Sequence, residues 1–357
     1  DAPLPVSLTK IDTEAFEGCT SLTEITIPIN VNTLGNMCFY KSSLSNIIID
    51  ENNTNFAVDG RFICDINKTQ IVTYIPHKDP LTSNSDLTIN SSFTEIKDYG
   101  FAWFSENNLL GTLTIPSSVT ILGEWAFYWT YFTNIIINGN IEIIPDYCFY
   151  RCRMTSFVIP NSVTEIGERA FSGTLLNGSH ITIPDSVTML STRSFSESEV
   201  TSITISNSIT EIPSYCFSYM YDLETLQFST PSSLKKIQFY AFQNVYALTE
   251  IIIPDGVTEI RFDAFKNCYN IENIVIPDSV TNISNRTFNL QTNTSVNGPL
   301  KTLTMPNNTN ITLGTDTFKN AASNDLTINI TQTAKDHLDT TYPNWITSNN
   351  PITWNII

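Results

Sequence analysis

Basic residues are scarce in this sequence. Lys and Arg together number 18 against 35 Asp and Glu, a formal net charge of -17. Such a surface repels phosphate backbones and anionic headgroups, so the composition excludes nucleic acid and anionic membranes as partners. Charged residues make up only 15% of the chain and hydrophobic residues 41%, which predicts a folded chain with a continuous core.

Residue patterns that carry chemistry are also missing. The three histidines, His77, His180 and His337, stand far apart, and none has a recognisable spacing to a nucleophile or an acidic partner. The 13 glycines form no phosphate-binding loop, and neither a paired-carboxylate nor a calcium-loop motif occurs. We therefore predict a protein that is not an enzyme, with no catalytic residues, no metal and no cofactor.

Long apolar runs are absent as well. No stretch reaches the length of a membrane span, the sequence does not open on a signal peptide, and Asp1 already lies within a repeat. We interpret the chain as a segment of a longer precursor, without membrane insertion in this segment.

What the sequence does contain is a motif that recurs roughly every 22 to 25 residues. It reads I-x-I-P-x-x-V-T-x-I-G-x-x-A-F, and the clearest copy runs from Ile159 to Phe171. Such a period predicts a solenoid of stacked coils. The final phenylalanine of each copy is predicted to fill the interior. These phenylalanines indicate about twelve repeats: Phe16, Phe39, Phe101, Phe127, Phe149, Phe171, Phe195, Phe217, Phe242, Phe265, Phe288 and Phe318.

Each copy predicts mostly β structure with a short helical or 3₁₀ turn. The I-x-I run alternates apolar residues as a strand does, and the proline that follows ends it. The expected fold is a right-handed leucine-rich-repeat solenoid with a parallel sheet of one strand per repeat over residues 1–329. Three further segments are expected. They are a β-hairpin-like insertion over residues 51–86 with a turn at Asp59-Gly60, a polar loop from Thr292 to Gly298, and a C-terminal capping segment over 330–357. The capping segment is predicted to contain a helix from about Ala334 to Thr341.

The seven cysteines follow the repeat. Cys38, Cys148 and Cys216 replace the alanine before the phenylalanine, while Cys19, Cys152 and Cys268 stand three residues after it. Cysteines in the same slot skip repeats, and a disulfide needs Cα atoms about 4.4–6.8 Å apart, so few pairs can form. We predict free thiols that pack as small apolar residues.

The repeat resembles the BspA-like leucine-rich repeats. Their pattern L-x-x-I-x-I-P-x-x-V-T-x-I-G-x-x-A-F-x-x-C is matched, with Arg261 in place of glycine, by Leu248, Ile251, Ile253, Pro254, Val257, Thr258, Ile260, Ala264, Phe265 and Cys268. The insertion resembles that family's own N-x-Y…D-G-x-L segment through Asn55, Asp59, Gly60 and Pro76. The resemblance implies a surface protein of host-associated bacteria or parasitic protists, often adhesive, with no common catalytic residues.

Two surfaces are candidate binding sites. The first, the sheet ladder, is the outward middle residue of each strand: Thr26, Ile48, Thr114, Ile136, Val158, Thr182, Thr204, Gln227, Ile252, Val275 and Thr304. Its exposed Ile and Val favour a contact site, although an ordinary exposed β face is the alternative. The second, the aromatic edge, comprises Trp125, Tyr128, Trp129, Tyr147 and Tyr150, with Trp103, Phe104, Tyr131 and Phe132 beside them. These rings suit a sugar or a protein hot spot, or they simply cover the edge of the core.

The functional prediction is therefore a non-enzymatic scaffold for interaction or adhesion, at the cell surface or secreted. We expect it to be monomeric and to bind a protein or glycan on host or neighbouring cells through the two surfaces. The alternative is a purely structural spacer within a larger surface protein.

Overall fold

The computed structural model describes residues 3–78, 81–104, 109–290, 298–346 and 352–357. The chain is mostly β, with 28% strand and 3% helix, and forms a leucine-rich-repeat parallel β-solenoid of about fourteen turns. It divides into two compact units, Asp1–Val163 and Thr164–Ile357. None of the helical segments in the described ranges has both the length and the apolar character that a bilayer crossing requires.

The first unit is built from short strands. They are β1 (Lys10–Ile11), β2 (Glu24–Ile27), β3 (Thr33–Leu34), β4 (Asn46–Ile49), β5 (Phe56–Asp59), β6 (Phe62–Asp65), β7 (Gln70–Tyr74), β8 (Leu87–Thr88), β9 (Glu95–Ile96), β10 (Leu110–Ile115), β11 (Ile121–Leu122), β12 (Phe132–Ile137) and β13 (Ile143–Ile144). The I-x-I runs form a first parallel ladder, β2 with β4 and β8 with β10 and β12. The V-T-x-I runs form a second, β1 with β3 and β9 with β11. Each repeat thus supplies one strand to the first ladder, as predicted, and its V-T-x-I run supplies a second short strand to the other ladder.

The segment between β4 and β8 is a β-meander. Strands β5 and β6 pair antiparallel around the turn at Asp59-Gly60, and β6 pairs antiparallel with β7. Strand β7 also pairs in parallel with β9, where Ile71 lies beside Ile96. The meander is therefore joined to the second ladder through β7.

The second unit repeats the same plan. Its elements are β14 (Glu165–Ile166), β15 (His180–Thr182), β16 (Met189–Leu190), β17 (Ser202–Ile205), β18 (Glu211–Ile212), β19 (Thr225–Phe228), β20 (Lys236–Ile237), β21 (Glu250–Ile252), β22 (Glu259–Ile260), β23 (Asn273–Val275), β24 (Asn282–Ile283), β25 (Leu300–Thr304), β26 (Thr312–Leu313), β27 (Ala322–Ile330), α1 (Gln332–Thr341) and β28 (Thr353–Ile356). The first ladder runs β15-β17-β19 and β21-β23-β25-β27-β28, and the second contains β18-β20-β22-β24-β26 and the pair β14-β16.

Stacked phenylalanines form the core of both units. In the first unit Phe101, Phe127 and Phe149 follow one another at centroid distances of 5.4 and 5.2 Å. In the second unit a stack with centroid distances of 5.1–5.7 Å runs through Phe171, Phe195, Phe217, Phe242, Phe265, Phe288 and Phe318. These rings are buried, as predicted, and Phe39 is buried with them.

Phe16 is the exception among the predicted core rings. It is only half-buried, because it belongs to the first turn and stacks on a single neighbour of the series, Phe39, at 5.8 Å. The number of core phenylalanines predicts about twelve repeats, whereas the structure has about fourteen turns. Strands β8 and β28 both pair within the first ladder although no Ala-Phe element precedes either of them.

The end of the second unit combines a strand, a helix and a tryptophan. Helix α1 begins two residues earlier than predicted; the Thr331 side chain accepts a hydrogen bond from the Ala334 N–H at its start, and Ala334 and Leu338 are buried. After the helix, Trp345 packs edge-on against Phe318, the last ring of the stack, at 5.8 Å. The loop predicted from Thr292 to Gly298 lies, apart from Gly298, outside the described residues.

Candidate functional site

The sheet ladder of the first unit is in register. Thr26 pairs with Ile48, and Thr114 pairs with Ile136. A parallel bridge between Asn134 and Ser156 continues the same register, so that Val158 follows Ile136. Ile136 is 42% exposed and Val158 83%. Two β-branched aliphatic side chains thus stand next to each other on the outer face of this sheet.

The sheet ladder of the second unit has a polar part and an apolar part. The β15-β17-β19 sheet carries polar side chains, with Thr182 beside Thr204 and Thr204 beside Gln227. The sheet that begins at β21 carries Ile252 beside Val275, and Thr304 follows them. Ile252 is 53% exposed, whereas Val275 is half-buried. The apolar part of this ladder is therefore confined to two neighbouring strands.

A histidine lies on the polar part of this ladder. His180 Nδ1 is 2.8 Å from the Ser202 hydroxyl, and His180 Nε2 is 3.1 Å from the Thr182 hydroxyl. The sequence gave no sign of the Ser202 contact, which arises because the two residues occupy the same register on adjacent strands. With hydroxyls on both ring nitrogens and an exposed side chain, this histidine has neither a carboxylate partner among the described residues nor the enclosed site of a catalytic triad.

The aromatic edge depends on an unusual backbone. The expected helical or 3₁₀ turn around each core phenylalanine takes the form of consecutive turns with i→i−3 hydrogen bonds, such as Tyr128 N–H to Trp125 C=O. The residues two before and two after the phenylalanine are left-handed: around Phe127 they are Trp125 (φ 58°) and Trp129 (φ 53°). Left-handed non-glycine residues are uncommon and cost about 1–2 kcal/mol each. Only residues without β-branching occupy these positions in the chain.

A third ladder of backbone hydrogen bonds stabilises these turns. Along one turn, the N–H groups of Trp125, Phe127 and Trp129 donate to carbonyls of the next turn, on Asp146, Cys148 and Tyr150. Every second residue therefore bonds to the coil above it, and its side chain lies directly over the equivalent side chain of the neighbouring coil. This backbone explains why rings at these positions stack across repeats.

The predicted aromatic residues do lie together. Trp125 stacks on Tyr147 at 4.0 Å and 7°, and Tyr128 on Tyr150 at 5.7 Å and 14°. Trp129 stacks on Trp103 at 4.7 Å and 11°. Edge-to-face contacts such as Trp125 to Tyr150 join the columns. All of these rings are half-buried, so they both cover the edge of the core and present part of their surface to solvent.

Two aromatic residues assigned to this edge belong elsewhere. Phe104 is 6% exposed and Phe132 is fully buried, and the two stack on each other at 5.4 Å. Phe132 occupies an inward position of strand β12 and cannot face solvent. Sequence reasoning also missed Phe93, which is buried; the signal was the run Phe93-Thr94-Glu95-Ile96, a V-T-x-I element with phenylalanine in place of valine.

Cations flank the aromatic edge. The Arg151 guanidinium lies 5.3 Å from the ring centres of both Trp129 and Tyr150, and Arg153 lies over Trp129 and Tyr131 at 6.0 and 5.7 Å. Trp129 Nε1 donates to the Tyr131 hydroxyl at 3.2 Å. Burial, with a further contribution from Tyr150, raises the pKa of Tyr128 above its ordinary value, so its hydroxyl is neutral and able to donate at neutral pH.

The cysteines are core residues. Six of the seven are buried and all seven are free thiols, which confirms that they pack as small apolar side chains; only Cys19 is partly exposed. Within the described ranges, His, Cys, Asp and Glu do not gather in groups of three that could hold a metal ion.

Comparison with known proteins identifies the family. The model of the BspA type leucine rich repeat region matches residues 2–75, 81–152, 142–232 and 225–340, in six copies. The chain therefore belongs to the BspA-type leucine-rich repeat family, whose repeat architecture is typical of non-enzymatic scaffolds for protein interaction. No curated protein sequence matches it significantly.

Similar solved structures come from bacteria. A leucine-rich repeat protein from Bacteroides ovatus is 20% identical, with a TM-score of 0.50 over 98% of this chain and 88% of that one. A leucine rich cell surface protein from Faecalibacterium prausnitzii is 22% identical, with a TM-score of 0.45 over 77% and 76%. The pneumococcal vaccine antigen PcpA is 16% identical, with a TM-score of 0.38 over 98% and 85%. At 20% identity and a TM-score of 0.50, the Bacteroides ovatus protein shows the fold alone.

Proposed function

We propose that this chain is a non-enzymatic adhesion scaffold, exposed at a cell surface or secreted, that binds a protein or glycan of a host or neighbouring cell. Its sheet ladder and aromatic edge supply the contacts. Family membership supports the scaffold role, and the description of the Faecalibacterium prausnitzii protein as a cell surface protein supports the location.

One observation carries the proposal: the aliphatic pair on the outer sheet of the first unit. Five of the eleven positions of the sheet ladder are threonine, whereas two neighbouring coils of the first unit place Ile136 and Val158 there, with much of each side chain in water. Burying such side chains gives about 25 cal/mol per Å² of apolar surface, whereas threonine would fill the same β position without that gain. Paired exposed aliphatic residues are what a contact surface requires.

The test is a double variant, Ile136→Thr with Val158→Thr. Threonine keeps the β-branched shape and occurs naturally in this column at Thr114 and Thr182, so the fold should be unaffected. Wild type and variant are compared on purified extracellular matrix proteins and on a glycan array. We expect wild-type binding to at least one of these, and a loss of about tenfold or more in affinity in the variant, equivalent to about 1.4 kcal/mol.

A matched control lies on the other sheet of the same unit. Ile121 and Ile143 are exposed to a similar degree, 54% and 47%, on the second ladder. The double change of both to threonine removes the same number of methyl groups but should leave binding intact. Equal losses in the two double variants would contradict the sheet ladder as the site. A wild-type chain that binds nothing in either screen would instead support the spacer.

A further inference from the structure

Two arginines are held over the rings at one end of the aromatic edge. Trp103 occupies one face of Trp129 at 4.7 Å, so the guanidinium groups of Arg151 and Arg153 lie over its other face. Arg151 has a left-handed backbone (φ 57°) two residues after Phe149, which places it in the same column as the two tryptophans. Tyr150 and Tyr131 each lie beneath one of the two guanidinium groups.

Neither arginine has a carboxylate partner among the described residues. Eleven other cations form ion pairs there: Lys10, Lys68, Lys97, Arg169, Lys236, Arg261, Lys266, Arg286, Lys301, Lys319 and Lys335. Arg151 and Arg153, two residues apart on one coil, form no ion pair with any described carboxylate. Their charge is left available to a ligand.

The stacked arrangement also leaves the donors available. The contacts of each guanidinium with its rings, at 5.3–6.0 Å between centres, are cation–π contacts, so they use none of its five N–H donors as hydrogen bonds to oxygen. Such a fork binds a carboxylate or sulfate with two parallel hydrogen bonds, and the rings beneath it restrict its motion. Two forks anchored on one indole therefore form a preorganised receptor for a single anionic group.

We propose that Arg151 and Arg153, with Trp129, Tyr131 and Tyr150, bind the carboxylate or sulfate of an acidic sugar at the end of a glycan. The inference rests on the proposal that the chain is a binding scaffold, and it names the ligand of the aromatic edge. The ligand carries one anionic group on a largely neutral chain, because the net charge of -17 repels a polyanion beyond the reach of the local cations.

The backbone of this edge favours a sugar over an acidic peptide. A peptide that docks by strand addition needs free main-chain partners, but the N–H groups of Trp125, Phe127 and Trp129 are all bonded to the next coil. What remains accessible is ring surface, phenolic hydroxyl and guanidinium. Those groups match the apolar C–H face, hydroxyls and acid group of a pyranose.

The experiment compares 3′-sialyllactose and a 6-sulfated lactose with unmodified lactose by isothermal titration. An acidic pentapeptide of glutamate and glycine is the competing ligand. We expect at least one acidic sugar to bind about tenfold or more tightly than lactose. Arg151→Gln and Arg153→Gln should each weaken that binding about tenfold, and Arg151→Lys should recover only part of it because a lysine lacks the fork.

Arg193→Gln is the matched control. Arg193 lies over the ring of Tyr215 at 4.4 Å in the second unit, so this change removes the same charge and a similar ring contact. It should leave the affinity unchanged. Equal binding of acidic and neutral sugars, no sugar binding, a preference for the peptide, or an equal loss in Arg193→Gln would each overturn the assignment. None of these results would alter the comparison of the Ile136/Val158 and Ile121/Ile143 variants, so the two proposals fail separately.

Discussion

Phe217 and Phe242, in consecutive coils of the second unit, stack with ring centroids 5.3 Å apart and planes 16° from parallel. On its other side Phe217 stacks on Phe195 at 5.7 Å. The ring is fully buried, so its stability contribution combines transfer from water with close packing on two sides. Each interior coil depends on its neighbours in this way.

Phe217→Ala should therefore destabilise the protein by about 3–5 kcal/mol, the usual cost of an emptied aromatic core site. Urea unfolding followed by circular dichroism measures it. Phe16→Ala is the comparison, because Phe16 is half-buried at the first turn and should cost clearly less. Equal losses for the two variants would mean that the stack does not determine core stability.

A buried carboxylate supports a second prediction. Asp263 is fully buried, and one of its oxygens lies 3.0 Å from Arg286 Nη2 and 3.4 Å from Lys266 Nζ. Arg286→Met keeps much of the side-chain volume but removes the main partner of a buried charge. We expect a loss of about 3 kcal/mol in the free energy of unfolding.

Arg193→Met separates the ion pair from the ring contact. Arg193 lies over Tyr215 much as Arg286 lies over Phe262, at 4.4 and 4.6 Å, but forms no ion pair in the described residues. Arg193→Met should lower the free energy of unfolding by no more than about 1 kcal/mol. If the two methionine variants melt alike, the Asp263 ion pair contributes little to stability.

The thiols provide a chemical test of the core. Burial raises the pKa of Cys152, Cys216 and Cys268 to about 12 and that of Cys148 well above its ordinary value. The reactive species is the thiolate, which at pH 8 is then roughly one part in ten thousand of Cys152, Cys216 and Cys268. Ellman's reagent should titrate about one thiol per native chain, the partly exposed Cys19, and all seven in denaturant.

Peptide mapping after alkylation would identify the labelled residue. Rapid native labelling of Cys148 or Cys216 would show that the coils open locally at those positions. A Cys19→Ser variant serves as the control, since it should abolish the native signal and leave six thiols in denaturant.

The repeat motif predicted most of the fold because it assigns each residue a place in the coil. The isoleucines one and three residues before a proline share the inward face of the strand, and the residue between them points outward, so Ile251 and Ile253 were placed in the core and Ile252 on the sheet face from spacing alone. Strands β8 and β28 were not predicted, because the repeats were counted by their Ala-Phe element and no such element precedes these two strands.

The stacking of the aromatic edge could not be predicted in the same way. It depends on left-handed residues at Trp125 and Trp129, a conformation that tryptophan on its own avoids. Only the hydrogen bonds to the adjacent coil make it favourable, and these are contacts between residues more than twenty positions apart. One local sign was present. The position of Trp129, two residues after the core phenylalanine, is occupied by glycine in two other coils, Gly18 and Gly173, and both glycines are left-handed.

The turn between strands β6 and β7 makes the stability of the protein dependent on pH. Burial alone would raise the pKa of Asp65, but its carboxylate accepts hydrogen bonds from the N–H groups of Gln70, Thr69 and Asn67 and from the Thr69 hydroxyl, and together these lower the pKa. A lowered folded-state pKa adds stability that is fully present above the unfolded value, about 3.9, and disappears as the pH falls through the folded value.

Asp65→Asn should therefore cost about 1 kcal/mol at pH 7, a modest figure because the turn is partly solvated. The difference from wild type should shrink in urea melts as the pH is lowered from 5 to 3, since the wild-type carboxylate becomes protonated. Glu51→Gln removes one negative charge from an exposed side chain of the same segment and controls for the change in net charge. A difference that stays constant between pH 7 and pH 3 would show that the carboxylate form of Asp65 does not stabilise the turn.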